Sequence, residues 1–177
     1  MIAETLSLSA FAGPALLLCL VASLAPQEAA GVSADAARVA RLVGEWDAQV
    51  LFPGGPPVAG RAHVRALEGG AWVVEEFEAE MQGAPFRGHG LFGWDRTRNQ
   101  YANVWVDNME GKLTTGSGVW DEKAGAFVLR AEIDMGAGPM KMRETWRLEG
   151  KDAFTFTMSP DQDGAEPVMT IEYARTK

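Results

Sequence analysis

Residues 127–134 read FVLRAEID, an alternation of apolar and mostly polar side chains. Successive side chains of a strand point to opposite faces of a sheet, so this segment predicts a strand with one buried and one solvated face. The next three segments repeat the alternation. Their apolar positions are Met142, Trp146 and Leu148, then Phe154, Phe156 and Met158, then Met169, Ile171 and Tyr173. The C-terminal part of the chain therefore predicts consecutive antiparallel strands.

The number of strands follows from clusters of Gly, Pro, Asn and Asp, which recur about every dozen residues and are typical of hairpin turns. These clusters cover residues 53–57, 68–70, 82–85, 95–99, 108–111, 121–125, 135–139, 149–152 and 160–167. Ten short antiparallel strands leave long exposed edges unless the sheet closes. We therefore predict an all-β fold, a ten-stranded antiparallel up-and-down barrel. A two-sheet sandwich is the alternative, and it would need longer crossovers than these turns supply.

The segment before the first strand predicts a short helix and a targeting signal. Ser33 is a suitable N-cap for a helix from Ala34 to Val43, which Gly44 ends. Residues 11–24 are almost wholly apolar, too short for a comfortable membrane span but typical of a signal-peptide core. We expect a signal peptide at residues 1–25, a linker at 26–33 and the barrel domain at 34–177. The alternative is an N-terminal helix or membrane anchor, and an uncleaved leader would be the only link to a membrane.

Composition narrows the possible functions. The 177 residues include 16 Lys and Arg against 24 Asp and Glu, a formal net charge of -8, so no nucleic-acid partner is expected. The chain has one cysteine, Cys19, so it cannot form an intrachain disulfide, and this residue lies in the predicted signal peptide. His63 and His89 fall on the outward face of their strands, so we predict no metal site and no cofactor.

Polar residues that interrupt the inward face of the strands are candidates for a binding site, because a buried charge needs a partner, a proton or a ligand. Two carboxylates hold such positions, and one further strand places an amide, an indole and a carboxylate on one face. Together with neighbouring apolar residues, the predicted ligand-binding set is Glu75, Phe77, Asn103, Trp105, Asp107, Met142, Glu144 and Trp146. Aromatic and methionine side chains suit a pocket or a packed core equally well. A bulge that moves the polar residues to the rim is the other interpretation.

The triplet Gly44-Glu45-Trp46, at the start of the first strand, resembles the glycine-x-tryptophan signature of calycin barrels, which include lipocalins, fatty-acid-binding proteins and the nitrobindin-like group. Further motifs, among them Gly93-Trp94-Asp95, Gly118-Val119-Trp120-Asp121 and residues 171–175, are similar in order to the bacterial domain-of-unknown-function 1579 family. The resemblance covers residues 42–175 and implies a calycin-like barrel without an established activity. It also implies that Arg175 packs over Trp46 as a structural closure, by a cation–π contact. Nitrobindin-like haem binding would need a late-strand histidine, which the strands after Gly125 lack.

These observations lead to three functional hypotheses. The first is a bacterial periplasmic or secreted protein, a monomer or homodimer, that binds a small apolar or amphipathic molecule, with Glu75, Asp107 and Glu144 as orienting groups. The second is an isomerase or hydrolase-like enzyme that uses an inward carboxylate such as Glu144 as general base. The third is a protein-interaction module with a filled barrel. We expect binding rather than catalysis, and no catalytic residue is assigned.

Overall fold

The computed structural model describes residues 33–134, 136 and 138–177. The predicted signal peptide, Cys19 and the linker up to residue 32 lie outside the described residues. The chain enters helix α1 (Ala34–Val39) at Ser33, whose hydroxyl accepts a hydrogen bond from the Ala36 amide at 3.2 Å. The predicted helix continues to Val43, but in the structure its last turn is a 3₁₀ helix over Ala40–Leu42. In the part of the chain that is described, no helix is long and apolar enough to cross a membrane.

Ten strands follow α1 and form one closed barrel in which β1 also pairs with β10. They are β1 (Gly44–Leu51), β2 (Val58–Ala66), β3 (Trp72–Met81), β4 (Ala84–Asp95), β5 (Gln100–Asp107), β6 (Thr114–Asp121), β7 (Ala126–Asp134), β8 (Pro139–Leu148), β9 (Ala153–Pro160) and β10 (Met169–Arg175). Every strand pairs antiparallel with its neighbours in sequence, and the pairing of Trp46 with Arg175 belongs to the register that closes the ring. The predicted all-β, up-and-down barrel is confirmed.

The two ends of the barrel differ. The loops β1–β2, β3–β4, β5–β6, β7–β8 and β9–β10 lie at one end, which we call the mouth. Helix α1 leads into β1 at the other end, where it packs against β3 and β4 and adds Val39 to the core. Inward side chains near α1, such as Tyr101 and Phe127, are fully buried, whereas Phe86 and Met158, nearer the mouth, are half-buried. The barrel is therefore sealed at the α1 end and more accessible from the mouth.

Polar contacts hold α1 on the sealed end. The Tyr101 hydroxyl donates to an Asp35 oxygen at 2.8 Å, and burial is the largest of the causes that raise the pKa of Tyr101 to about 12. The Arg38 guanidinium donates to Asp35 and lies over the Trp120 ring, 5.2 Å from its centroid. The indole nitrogen of Trp120 is buried without a hydrogen-bond partner in the described part of the chain.

Trp46 and Arg175 meet at this same end. The Arg175 guanidinium carbon lies 4.2 Å from the Trp46 ring centroid, within the range of a cation–π contact. Arg175 also donates to the Val43 carbonyl at 3.1 Å and to the Lys151 carbonyl at 3.0 Å. The Trp46 indole donates to the Leu42 carbonyl at 2.9 Å. The bond to Val43 ties the last strand to the segment that joins the helix to β1, and the bond to Lys151 ties it to the turn between β8 and β9.

Candidate functional site

A polar pair spans the interior between β5 and β8. The Asn103 amide donates to Glu144 Oε2 at 2.9 Å, although β6 and β7 separate the two strands in the sheet. The contact therefore bridges the two strands on the inner face of the barrel, over β6 and β7. Glu144 is 3% exposed and Asn103 is 7% exposed. Two groups that sequence analysis placed on the inward face are thus brought into direct contact.

The side-chain oxygen of Asn103 takes no part in this bond. Asn103 Oδ1 is buried and has no hydrogen-bond partner among the described residues. A Cβ on Gly116 would lie 2.5 Å from this oxygen and 2.8 Å from Glu144 Oε2, so the pair fits only because Gly116 has no side chain. Buried polar atoms are nearly always hydrogen-bonded, so the free Asn103 oxygen is able to accept from a water, an ion or a ligand.

Burial also changes the acidity of Glu144. Removal from water disfavours the charged form and raises the pKa of this carboxyl from 4.5 to about 7, while the bond from Asn103 opposes the rise. Glu144 can therefore take either protonation state near neutral pH. A carboxyl in this condition can accept from a donor as an anion or hold a proton itself.

A second polar pair joins β3 and β10 across the same lumen. The Tyr173 hydroxyl donates to Glu75 Oε1 at 3.1 Å, with β2 and β1 between the two strands. Desolvation raises the pKa of Glu75 to about 7 against the lowering effect of this bond, and burial raises the pKa of Tyr173 well above its ordinary value. Glu75 nonetheless remains only half-buried, so it is reached by solvent in the barrel interior.

Trp105 forms an aromatic wall beside Glu75. A Cβ on Gly88 would lie 2.0 Å from the Trp105 ring, so glycine at this position lets the indole lie flat against β4. The Trp105 ring stacks near Phe86 with centroids 6.5 Å apart and an angle of 18° between planes. Its indole donates to Asp107 Oδ2 at 3.1 Å. The wall therefore continues from the half-buried carboxyl toward the mouth.

Asp107 has a local structural task. Its Oδ1 accepts from the backbone amides of Met109 and Glu110, both at 2.9 Å, and its Oδ2 accepts from Trp105. These bonds fix the turn after β5 and the orientation of the indole. A direct role for Asp107 in orienting a ligand stays a prediction.

The other predicted site residues lie at different depths. Phe77 is buried with its ring centroid 6.5 Å from that of Trp105, and Met142 is fully buried. Trp146 lies among core aromatics instead, 5.0 Å from Phe92. Tyr173 was predicted only as one of the apolar positions of the last strand, and its bond to Glu75 was not predicted. Its shared face with Ile171 indicates an inward side chain, but a partner on a distant strand has no signature in the sequence.

The mouth carries six large apolar side chains, which we call the apolar rim. Four of them are exposed and two are half-buried. The rim comprises Phe52, Met109, Leu113 and Met140, which are exposed, and Met81 and Met169, which are half-buried. Methionine is flexible and polarizable, and it is common on surfaces that adapt to different apolar ligands.

Two hollows in the structure lie away from this lumen. One, of about 120 Å³, is lined by residues of β8 and β9 such as Thr145 and Thr157. The other, of about 300 Å³, lies against β2 and β3 at Ala59 and Glu78. None of the predicted ligand-binding residues lines either hollow. A ligand in the lumen would therefore have to displace side chains near the mouth.

The histidines are exposed on the outer face of the barrel, as predicted, and His63 lies 3.4 Å from Glu45. Within residues 33–134, 136 and 138–177, no group of three or more His, Cys, Asp or Glu side chains could hold a metal ion.

Comparison with known proteins gives a family and several distant barrels. The model of the family described as "Protein of unknown function (DUF1579)" matches residues 33–175. An S-type phycobiliprotein lyase from Guillardia theta has a TM-score of 0.49 at 12% identity, over 77% of this chain and 89% of that chain. A de novo designed fluorescence-activating β barrel has a TM-score of 0.46 at 15% identity, over 81% of this chain and 100% of that chain. No curated protein matches the sequence.

Proposed function

We propose that this chain, which belongs to the family described as "Protein of unknown function (DUF1579)", binds a small amphipathic molecule in the lumen of its barrel. The observation that carries the proposal is the buried Asn103–Glu144 pair, whose Asn103 Oδ1 lacks a hydrogen-bond partner among the described residues. Such a group costs about 1 to 3 kcal/mol of stability when it stays unsatisfied. A ligand that donates to it would offset that cost, whereas a core with only a structural role would be more stable with apolar residues there.

The surroundings of the pair suit a molecule with two different ends. Its polar end would lie deep in the barrel, at Glu144 and Asn103, with Glu75 as a second polar contact. Its apolar end would run past Trp105 toward the half-buried Met158 and the apolar rim. Burial of apolar surface would supply most of the affinity, at about 25 cal/mol per Å², and the polar groups would fix the orientation.

Entry of such a molecule requires movement at the mouth. The side chains to be displaced are mainly the methionines of the rim, which change rotamer at little cost. We expect the β-barrel backbone to keep its register, because the strand pairing is continuous around the ring. The bound state is thus reached by repacking of side chains.

Native mass spectrometry of the protein purified from its own host tests this function. We expect a retained molecule that dissociates on denaturation. A Met158→Trp variant, which fills the lumen, should lose the retained molecule, whereas Val119→Trp on the exposed outer face of β6 should keep it. Circular dichroism verifies that both variants fold. Equal retention by the two variants, or an empty wild-type barrel, contradicts the proposal.

Catalysis is a second candidate function, favoured by the pKa of about 7 of the Glu144 carboxyl, which suits a general base near neutral pH. Incubation of the retained molecule with wild type and with Glu144→Gln tests it. Conversion by the wild type alone would support an enzyme, and recovery of the molecule unchanged from both supports binding.

Export also stays part of the proposal. N-terminal peptide mapping of the protein from its host should find a mature chain that begins after the predicted signal peptide at residues 1–25. A chain that retains these residues would contradict export by cleavage.

A further inference from the structure

The polar atoms that face the lumen are predominantly acceptors. Glu75 and Glu144 supply carboxyl oxygens, and Asn103 supplies a carbonyl oxygen that is more than nine-tenths buried and unpartnered in the described part of the chain. One N–H of the Asn103 amide and the Tyr173 hydroxyl already donate to the two carboxyls, and the Trp120 indole N–H, which is unpaired among the described residues, lies at the sealed end. The unused hydrogen-bonding capacity of the lumen is therefore mainly accepting.

Cationic side chains are almost absent from the same surface. Among the inward positions of the described strands, Arg175 is the one Lys, Arg or His. It lies at the sealed end, where its guanidinium is held by the Val43 and Lys151 carbonyls and by the Trp46 ring. A fatty-acid carboxylate entering from the mouth would thus meet two carboxyls and an unpaired carbonyl, with no cation available to balance its charge.

An ammonium group differs from a carboxylate in both charge and hydrogen bonding. It carries three donors and no acceptor, so it can bond the free carbonyl oxygen of Asn103 and the Glu144 carboxylate together. The two oxygens lie next to each other over Gly116, since a Cβ on this glycine would be 2.5 Å from one and 2.8 Å from the other, so one ammonium group that approaches from the lumen can reach both. Trp105 follows Asn103 by two residues on the same inward face of β5, with the Phe77 ring centroid 6.5 Å from its own, and aromatic faces attract cations.

We infer that the molecule bound in the lumen is a cationic amphiphile, with an ammonium head at Asn103 and Glu144 and an apolar tail directed to the apolar rim. This inference rests on the proposed function, because it requires a ligand in the lumen. It names the chemical class of the head group and excludes fatty acids as preferred ligands.

Three linear ten-carbon probes that differ in the head group test the inference: decylamine, 1-decanol and decanoate, titrated by calorimetry and by tryptophan fluorescence. We expect decylamine to bind at least about tenfold more tightly than 1-decanol, since hydrogen bonds to charged groups contribute that much, and decanoate to bind most weakly. In Glu144→Gln the preference for decylamine should fall about tenfold while the affinity for 1-decanol changes less than about twofold. Glu75→Gln is a second variant in which the amine preference should fall.

A matched control separates lumen binding from attraction to the acidic surface. Glu172 is exposed on the outer face of β10, so Glu172→Gln removes the same charge outside the lumen and should leave decylamine affinity unchanged. An equal loss in Glu172→Gln and Glu144→Gln would overturn the inference. So would binding of 1-decanol or decanoate as tight as that of decylamine, although the proposed lumen function would survive. Failure of all three probes to bind would overturn both.

Discussion

The substitution Glu144→Gln should make the folded protein more stable at neutral pH, which is the reverse of the usual effect of changing a buried residue. Burial raises the pKa of Glu144 from 4.5 in an unfolded chain to about 7 in the barrel. Between these two values the unfolded state has released its proton and the folded state has kept it. The free energy of unfolding therefore falls as pH rises through this window and reaches its lower plateau above pH 7.

The size of the effect follows from the width of the window. At 1.36 kcal/mol for each pKa unit, the carboxyl costs about 3 kcal/mol at pH 8 and nothing below the unfolded pKa. Glutamine has the same shape, cannot ionise and can still accept from the Asn103 amide. We expect the variant to exceed wild type by about 3 kcal/mol at pH 8, which is roughly 6–12 °C in Tm, and to match it at pH 4.

Urea unfolding followed by tryptophan fluorescence at pH 4, 6 and 8 measures this difference. The titration of Glu75 changes the free energy of unfolding of wild type and of Glu144→Gln by the same amount, so it cancels in the difference between them. Glu172→Gln on the outer face should stay within about 0.5 kcal/mol of wild type at each pH. A Glu144→Gln variant that is less stable than wild type at pH 8, or a difference that does not change with pH, would refute the burial and the raised pKa of this carboxyl.

Three further predictions concern the closure and the two polar pairs. Arg175→Ala removes the cation–π contact and the side-chain hydrogen bonds to two backbone carbonyls, so thermal denaturation should show a loss of about 2 kcal/mol, and an unchanged Tm would contradict the assigned closure. Gly116→Ala places a Cβ 2.5 Å from Asn103 Oδ1, so we expect about 1–3 kcal/mol of destabilisation and loss of decylamine binding, and unaltered calorimetric titrations would argue against the site. Tyr173→Phe removes a bond that lowers the pKa of Glu75, so an NMR titration of this carboxyl should show a higher pKa than in wild type, and a fall would show that the bond does not stabilise the charged form.

The barrel could be predicted from the sequence because its rules are local. Alternation such as that of residues 127–134 fixes which side chains face inward, and turn residues at regular spacing fix the number of strands. Antiparallel neighbours and the need to cover sheet edges then require closure. The helix predicted to Val43 ends one residue earlier, and its last turn tightens into a 3₁₀ helix at Ala40–Leu42.

The site was predictable only in part. Alternation indicates that Glu75, Asn103 and Glu144 face inward, and the structure places Glu144 and Asn103 in the interior. The alternation does not indicate which of these side chains meet. Asn103 and Glu144 lie on strands that are three positions apart in the barrel, and so do Glu75 and Tyr173. Contacts across a lumen depend on strand tilt and side-chain length together. The role of Gly116 was also beyond sequence analysis, since the space that a glycine leaves has meaning only once its neighbours are placed.

The most direct test of a ligand-binding lumen is an NMR structure of the complex with whichever of the three ten-carbon probes binds most tightly, using protein labelled at the methionine methyl groups. Met142 is fully buried below the mouth, so its methyl can contact a ligand only inside the barrel. We predict nuclear Overhauser effects between the probe and the methyls of Met142 and Met158. Contacts confined to exposed methyls such as that of Met109, with no change at Met142 and Met158, would contradict ligand binding in the lumen.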